Sequence, residues 1–139
     1  AQSIPDNYDS IKIALLSSDI PYFAKTLGIK NIDLKTVIPS DPLTPEVSII
    51  TPETGIGDKI VTLLKSLPTG KPNRCFVPSY RIEFLKKNTV IRKLVICWRG
   101  NQIKTLDRDT NLSYTFNGEA NESVELLEML RKQVSLKIQ

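Results

Sequence analysis

Residues able to do chemistry are few in this chain of 139, and they do not gather. There is no histidine, which removes Ser-His-Asp and Cys-His catalysis, histidine-ligated metals and the usual general base near neutral pH. An enzyme would have to use carboxylates, lysine, tyrosine or a lone cysteine. Acid pairs such as Glu125 and Glu128 read as outer-face charges of a helix, not as a glycosidase pair in a cleft. Cys97 follows a strongly apolar run, and burial makes a thiol a poor nucleophile. Cys75 and Cys97 belong to no Cys-x-x-Cys pair, so zinc-ribbon and thioredoxin-like readings lack their ligands. Asp107-x-Asp109-x-Asn111 copies the opening of a calcium loop. Such a loop needs glycine where Leu112 stands and a bidentate glutamate where Gly118 stands. Gly55-Ile56-Gly57-Asp58-Lys59 lies between a predicted strand and helix, where backbone amides can meet phosphate. It has neither the P-loop spacing nor the third dinucleotide-binding glycine. No catalytic residue, metal site or cofactor is expected.

A contact surface is the remaining candidate. Trp and Arg are the residues that most often anchor interfaces. The single tryptophan, Trp98, stands at a predicted strand end beside Arg99 and in reach of Tyr80. Trp98, Arg99 and Tyr80 are therefore the predicted partner-binding residues. The competing reading has Trp98 closing the edge of the core and Arg99 solvated.

These residues must be carried by a sheet. Ile11, Ile13 and Leu15 alternate with polar or small residues within 10–18, predicting a strand, and 46–50 predicts a second. Asp19 can cap a short helix through Tyr22 and Phe23 to Leu27, and the prolines within 31–45 suggest an extended connection. Ile56, Ile60, Leu63, Leu64 and Leu67 fall on one helical face, with Thr54 as cap and Pro68-Thr69-Gly70 as stop. Tyr80, Ile82 and Phe84 alternate with Arg81 and Glu83, and the chain returns through 91–98 as a hairpin around Asn88. A loop of about three residues places Ile82 opposite Leu94, Tyr80 opposite Ile96 and Glu83 opposite Lys93. In that register Cys97 faces Ser79, leaving Cys75 roughly 13 Å away along a straight strand, beyond the roughly 7 Å limit for a disulfide. Two thiols are expected; the alternative is a fold-back at Pro78 that brings Cys75 to Cys97 and forms the disulfide that export permits. Strands over 102–106 and 112–116 follow, then a helix over 122–134 with Val124, Leu127, Leu130 and Val134 as its stripe, widened by Leu126 and capped by Asn121 or Ser123.

The segment from Cys75 to Ile82, followed by Leu94-Val95-Ile96-Cys97-Trp98, resembles an uncharacterised group of bacterial proteins. Members carry a Cys-aromatic-x-Pro start to one strand, then an apolar strand ending in Cys-aromatic-x-Cys. This chain has Tyr80 where that group often has histidine, and Gly100 where it has the last cysteine. The resemblance implies no activity; it implies a bacterial, exported domain.

The whole predicts one α+β domain over 1–139, a mainly antiparallel sheet with two amphipathic helices packed on one face. Ala1-Gln2-Ser3 looks like the residue pattern left by signal peptidase, although a cut within a longer chain would look the same. That reading places the protein in the periplasm or outside the cell. The net charge is +4, with Lys86, Lys87, Arg92 and Lys93 around the hairpin turn. Lysines there keep a strand edge soluble, and no aromatics interleave with them to stack on bases, so no nucleic-acid partner is expected. No apolar run approaches the roughly 20 residues of a membrane span, so no membrane insertion is expected. The expected function is non-catalytic binding of another protein, as an inhibitor or immunity-type protein of the bacterial envelope. The alternatives are a structural or assembly component and a histidine-free hydrolase.

Overall fold

The computed structural model describes residues 4–16, 46–71, 79–98, 100–106 and 113–134. The elements are β1 (Ser10–Leu16), β2 (Glu46–Ile50), α1 (Thr54–Ser66), β3 (Tyr80–Lys86), β4 (Thr89–Cys97), β5 (Gln102–Thr105), β6 (Ser113–Thr115) and α2 (Asn121–Gln133). They form the expected α+β arrangement. One six-stranded sheet has the order β2-β1-β3-β4-β5-β6, antiparallel throughout. The helix predicted over 19–27, the connection over 31–45, the Asp107–Asn111 loop, Cys75 and Arg99 lie outside the described residues.

Alternation explains the main core. Ile11, Ile13 and Leu15 of β1, Tyr80, Ile82 and Phe84 of β3, and Leu94 and Ile96 of β4 point to one side of the sheet. There they join Ile60, Leu64 and Leu67 from the α1 region and Leu126, Leu130 and Val134 from the α2 region in a single buried cluster. Each helix brings its apolar stripe to the same sheet face because neither can bury that stripe alone. Leu64 is fully buried, so its loss to alanine belongs among core deletions costing about 2–5 kcal/mol. The exposed Lys59–Glu125 ion pair joins the helices at 3.2 Å and contributes little beside that burial.

The expected hairpin register is present: Tyr80 pairs with Ile96, Ile82 with Leu94 and Glu83 with Lys93. Its cause differs from a three-residue loop. The turn has only Lys87 and Asn88, at φ 51° and 63°, the left-handed pair that a tight hairpin requires. Leu85 then pairs with Val90 but Phe84 with Arg92, so Ile91 is an inserted bulge residue. A short turn plus one bulge restores the register of the longer loop. Asp9 pins the turn: its amide donates to Leu85 O at 2.8 Å, and its carboxylate accepts from the Lys87 amide at 2.7 Å.

Both helices start differently from the expectation. Glu53 and Ala120 occupy the cap positions, neither with a side-chain cap bond, so Thr54, Asn121 and Ser123 are not the caps. On α2 the buried stripe is Ser123, Leu126 and Leu130, continued by Val134, while Val124 is 47% exposed. The Ser123 hydroxyl donates to Asn117 O at 2.6 Å, which satisfies it in the interior and turns Val124 outward. α1 ends where Leu67 becomes extended, as a residue before proline must.

Candidate functional site

At the end of β4, Ser79 continues the ladder. Its amide donates to Ile96 O at 2.7 Å, and its carbonyl accepts from the Leu16 amide at 3.0 Å. Its buried hydroxyl then accepts from the Trp98 amide at 3.3 Å. The Trp98 ring lies edge-on to Phe116, centroids 5.2 Å apart, and is partly buried against the main core. The turn beyond it is tight: the Gly100 amide donates to Cys97 Sγ at 3.1 Å, and Asn101 adopts φ 52°. Trp98 thus closes the core edge while keeping part of its surface outside. Tyr80 is a correction. It is 1% exposed, held between Leu15 and Ile96, so it packs the interior and offers no surface to a partner. Of the three predicted contact residues, the described structure leaves Trp98 at the surface.

Arg81 and Glu83 alternate onto the opposite sheet face, yet the centre of that face is buried. Ala14, Leu16 and Val95 form a second small apolar cluster, although both described helices pack on the other side. Arg81 and Glu83, two residues apart on that face, pair at 3.0 Å with side chains only 8% and 12% exposed. Lys12 and Lys93 are the cross-strand neighbours of Glu83. A carboxylate among three cations in a partly dry setting is a structural ion pair in its geometry. Such pairs cost desolvation and are kept only when well matched.

Other polar groups do structural work as well. The Tyr8 phenol donates to Asp58 Oδ1 at 2.8 Å, and burial, with that bond and the Asp58 charge, pushes its pKa up to about 12. Lys65 pairs with Asp6, and the Tyr8 ring meets Phe84 edge-on at 5.5 Å. Residues 4–9 are thereby tied across α1. The glycines of Gly55-Ile56-Gly57 sit inside the first helical turn, not in a loop before it. The Gly57 amide already donates to Glu53 O at 2.8 Å, which takes it from any phosphate. Among the described residues no three His, Cys, Asp or Glu side chains group as metal ligands.

A second surface feature joins the basic cluster of the hairpin turn to an exposed apolar pair. Towards the β3–β4 turn, β1 pairs with β3 as far as Leu85, and among the described residues the β5 side bonds as far as Lys93, whose carbonyl accepts from the Leu106 amide at 3.0 Å. Val90 and Ile91 at this turn are 38% and 39% exposed, with Leu106 exposed nearby. Residues 86–93 carry Lys86, Lys87, Arg92 and Lys93 with no acid among them. The usable signal was Val90-Ile91, an apolar pair that breaks the strand alternation between two basic pairs.

The fold and this surface define an α+β domain with an aromatic corner at one end of its central strands and a basic, aliphatic tip at the other. Compared with known proteins, the chain matches no family model, no curated protein and no solved structure. No helix among the described residues is long and apolar enough to cross a membrane.

Proposed function

We propose that this domain is a non-catalytic binding protein of the bacterial envelope, of the inhibitor or immunity type, that acts by occupying another protein. The observation that supports it is Trp98. Its ring is fixed on Phe116 and its backbone on Ser79, with Arg99 next in sequence. An aromatic held rigid before binding loses little entropy on contact, which is how interface anchors gain affinity. The envelope placement rests on the resemblance of the 75–82 and 94–98 segments to exported bacterial proteins. The test is capture from the source organism's envelope fraction with the domain as bait, followed by reconstitution with the purified partner. Saturable binding that weakens in Arg99→Ala supports the reading; no saturable partner counts against it.

A structural or assembly role is the second reading, favoured by β2. It is the outermost strand of the described sheet, and Ile49 and Ile50 on it are exposed. Exposed apolar strands at sheet margins can add a further strand from another chain. A monomer by sedimentation across a wide concentration range argues against self-assembly through this strand.

A further inference from the structure

We infer that the tip of the β3–β4 hairpin is a docking surface for an anionic lipid bilayer. The inference rests on the tip alone and is independent of any protein partner at the Trp98 corner.

Four features of the tip point the same way. Lys87, Asn88 and Thr89 at its apex are all exposed, so a flat surface can reach it. It is rigid, because Lys87 and Asn88 both sit in the left-handed region and Asp9 holds the Lys87 amide; docking therefore requires little ordering. Val90 and Ile91 are exposed at its side, and aliphatic side chains are accepted at the boundary of headgroups and acyl chains. Around them stand Lys86, Lys87, Arg92 and Lys93; set against the carboxylates of Asp9 and of Glu83, which lies across from Lys93, they leave the tip at a net charge of +2. Stable adsorption takes two signals, one apolar and one electrostatic, and the tip has both.

The composition separates a bilayer from other anionic partners. Nucleic acid binding without base readout uses aromatic side chains to stack on, and residues 86–93 contain none. Protein interfaces favour aromatics and arginine and are depleted in lysine, whereas three of the four cations here are lysines. Lysine suits the diffuse attraction of a charged lipid surface, where each cation near the headgroups contributes about a fivefold gain in partitioning.

Co-sedimentation of the full chain with extruded vesicles tests this. One set is phosphatidylcholine doped with phosphatidylglycerol, the other phosphatidylcholine alone, each at low and high salt. The expected result is binding to the doped vesicles only, weakened by salt. Lys87→Gln with Lys93→Gln should lower partitioning by about 25-fold, from two cations at about fivefold each. Val90→Ser with Ile91→Ser should also weaken it and leave the remainder fully salt-sensitive. Lys71→Gln with Lys132→Gln removes the same charge from elsewhere and should change partitioning by less than about threefold. All these side chains are exposed, and thermal melts of each variant check that folding is retained. Three results would overturn the inference. One is the absence of binding to doped vesicles. Another is an equal loss in the Lys71/Lys132 variant, which would make net charge the cause. The third is tighter, tip-dependent binding to duplex DNA than to the doped vesicles.

Discussion

A methyl group added at Gly70 would test how the Trp98 corner is held closed. Gly70 lies against the segment that follows β6: its amide donates to Thr115 O at 2.9 Å, and the Asn117 amide donates to Pro68 O at 2.8 Å. Thr69 bridges to Phe116 between these bonds, and the Tyr114 phenol donates to Leu67 O at 2.6 Å alongside. A Cβ on residue 70 would stand 2.2 Å from Phe116 O and 2.4 Å from its carbonyl carbon. Both atoms are backbone, so relief requires the two segments to part. Losing the two backbone bonds costs about 1 kcal/mol each. Partial exposure of Phe116, now 1% exposed under Trp98, adds about another 1 kcal/mol. Gly70→Ala should therefore destabilise by about 3 kcal/mol, lowering the melting temperature by about 10 °C for a chain of this size. Gly55→Ala supplies the opposite sign. Nothing lies within 4 Å of its Cβ position, and it stands in α1, where alanine is favoured over glycine by about 0.5–1 kcal/mol. Thermal unfolding followed by far-ultraviolet circular dichroism reads both variants. Gly70→Ala melting within a degree or two of the parent, or both variants losing stability equally, would refute the reasoning.

Removing one partner of the Arg81–Glu83 pair, 3.0 Å apart and largely buried, leaves the other charge behind. Glu83→Ala should cost about 3 kcal/mol in urea unfolding. Arg81→Leu with Glu83→Leu together should recover much of that loss; a double variant no more stable than Glu83→Ala contradicts the pairing argument. The Tyr8 phenol, pushed from 10.0 to about 12 by burial and its bond to Asp58, favours folding while it is neutral. That contribution is whole below pH 10.0 and lost as pH rises through about 12. Tyr8→Phe should therefore show a shallower loss of stability across that interval, and parallel slopes for the two proteins would count against it.

Much of the fold was legible because strand alternation has a strict period of two. Ile11, Ile13 and Leu15, or Tyr80, Ile82 and Phe84, can share only one face, and burying that face selects the register. The same alternation placed Tyr80 inward, opposite Ile96, which conflicts with a contact role; parity outweighs residue type there. The hairpin's two-residue turn and its bulge at Ile91 were not legible, because Lys87 and Asn88 carry no glycine to mark the left-handed pair. On α2, adjacent Leu126 and Leu127 allow two rotations of the helix. The bond from Ser123 to Asn117, a tertiary contact, selects the one that exposes Val124. Burial of Arg81 and Glu83 on the second face also escaped the pattern, since charged alternates on a strand normally mark a solvated side.

The central claim, recognition of another protein through the Trp98–Arg99 corner, is tested most directly by titration calorimetry. The partner captured from the envelope fraction would be titrated with the intact domain and with Arg99→Ala. The account predicts saturable binding by the intact domain, weakened by about 1–3 kcal/mol in the variant, with the two proteins melting alike. Equal affinity of both proteins for that partner would contradict it.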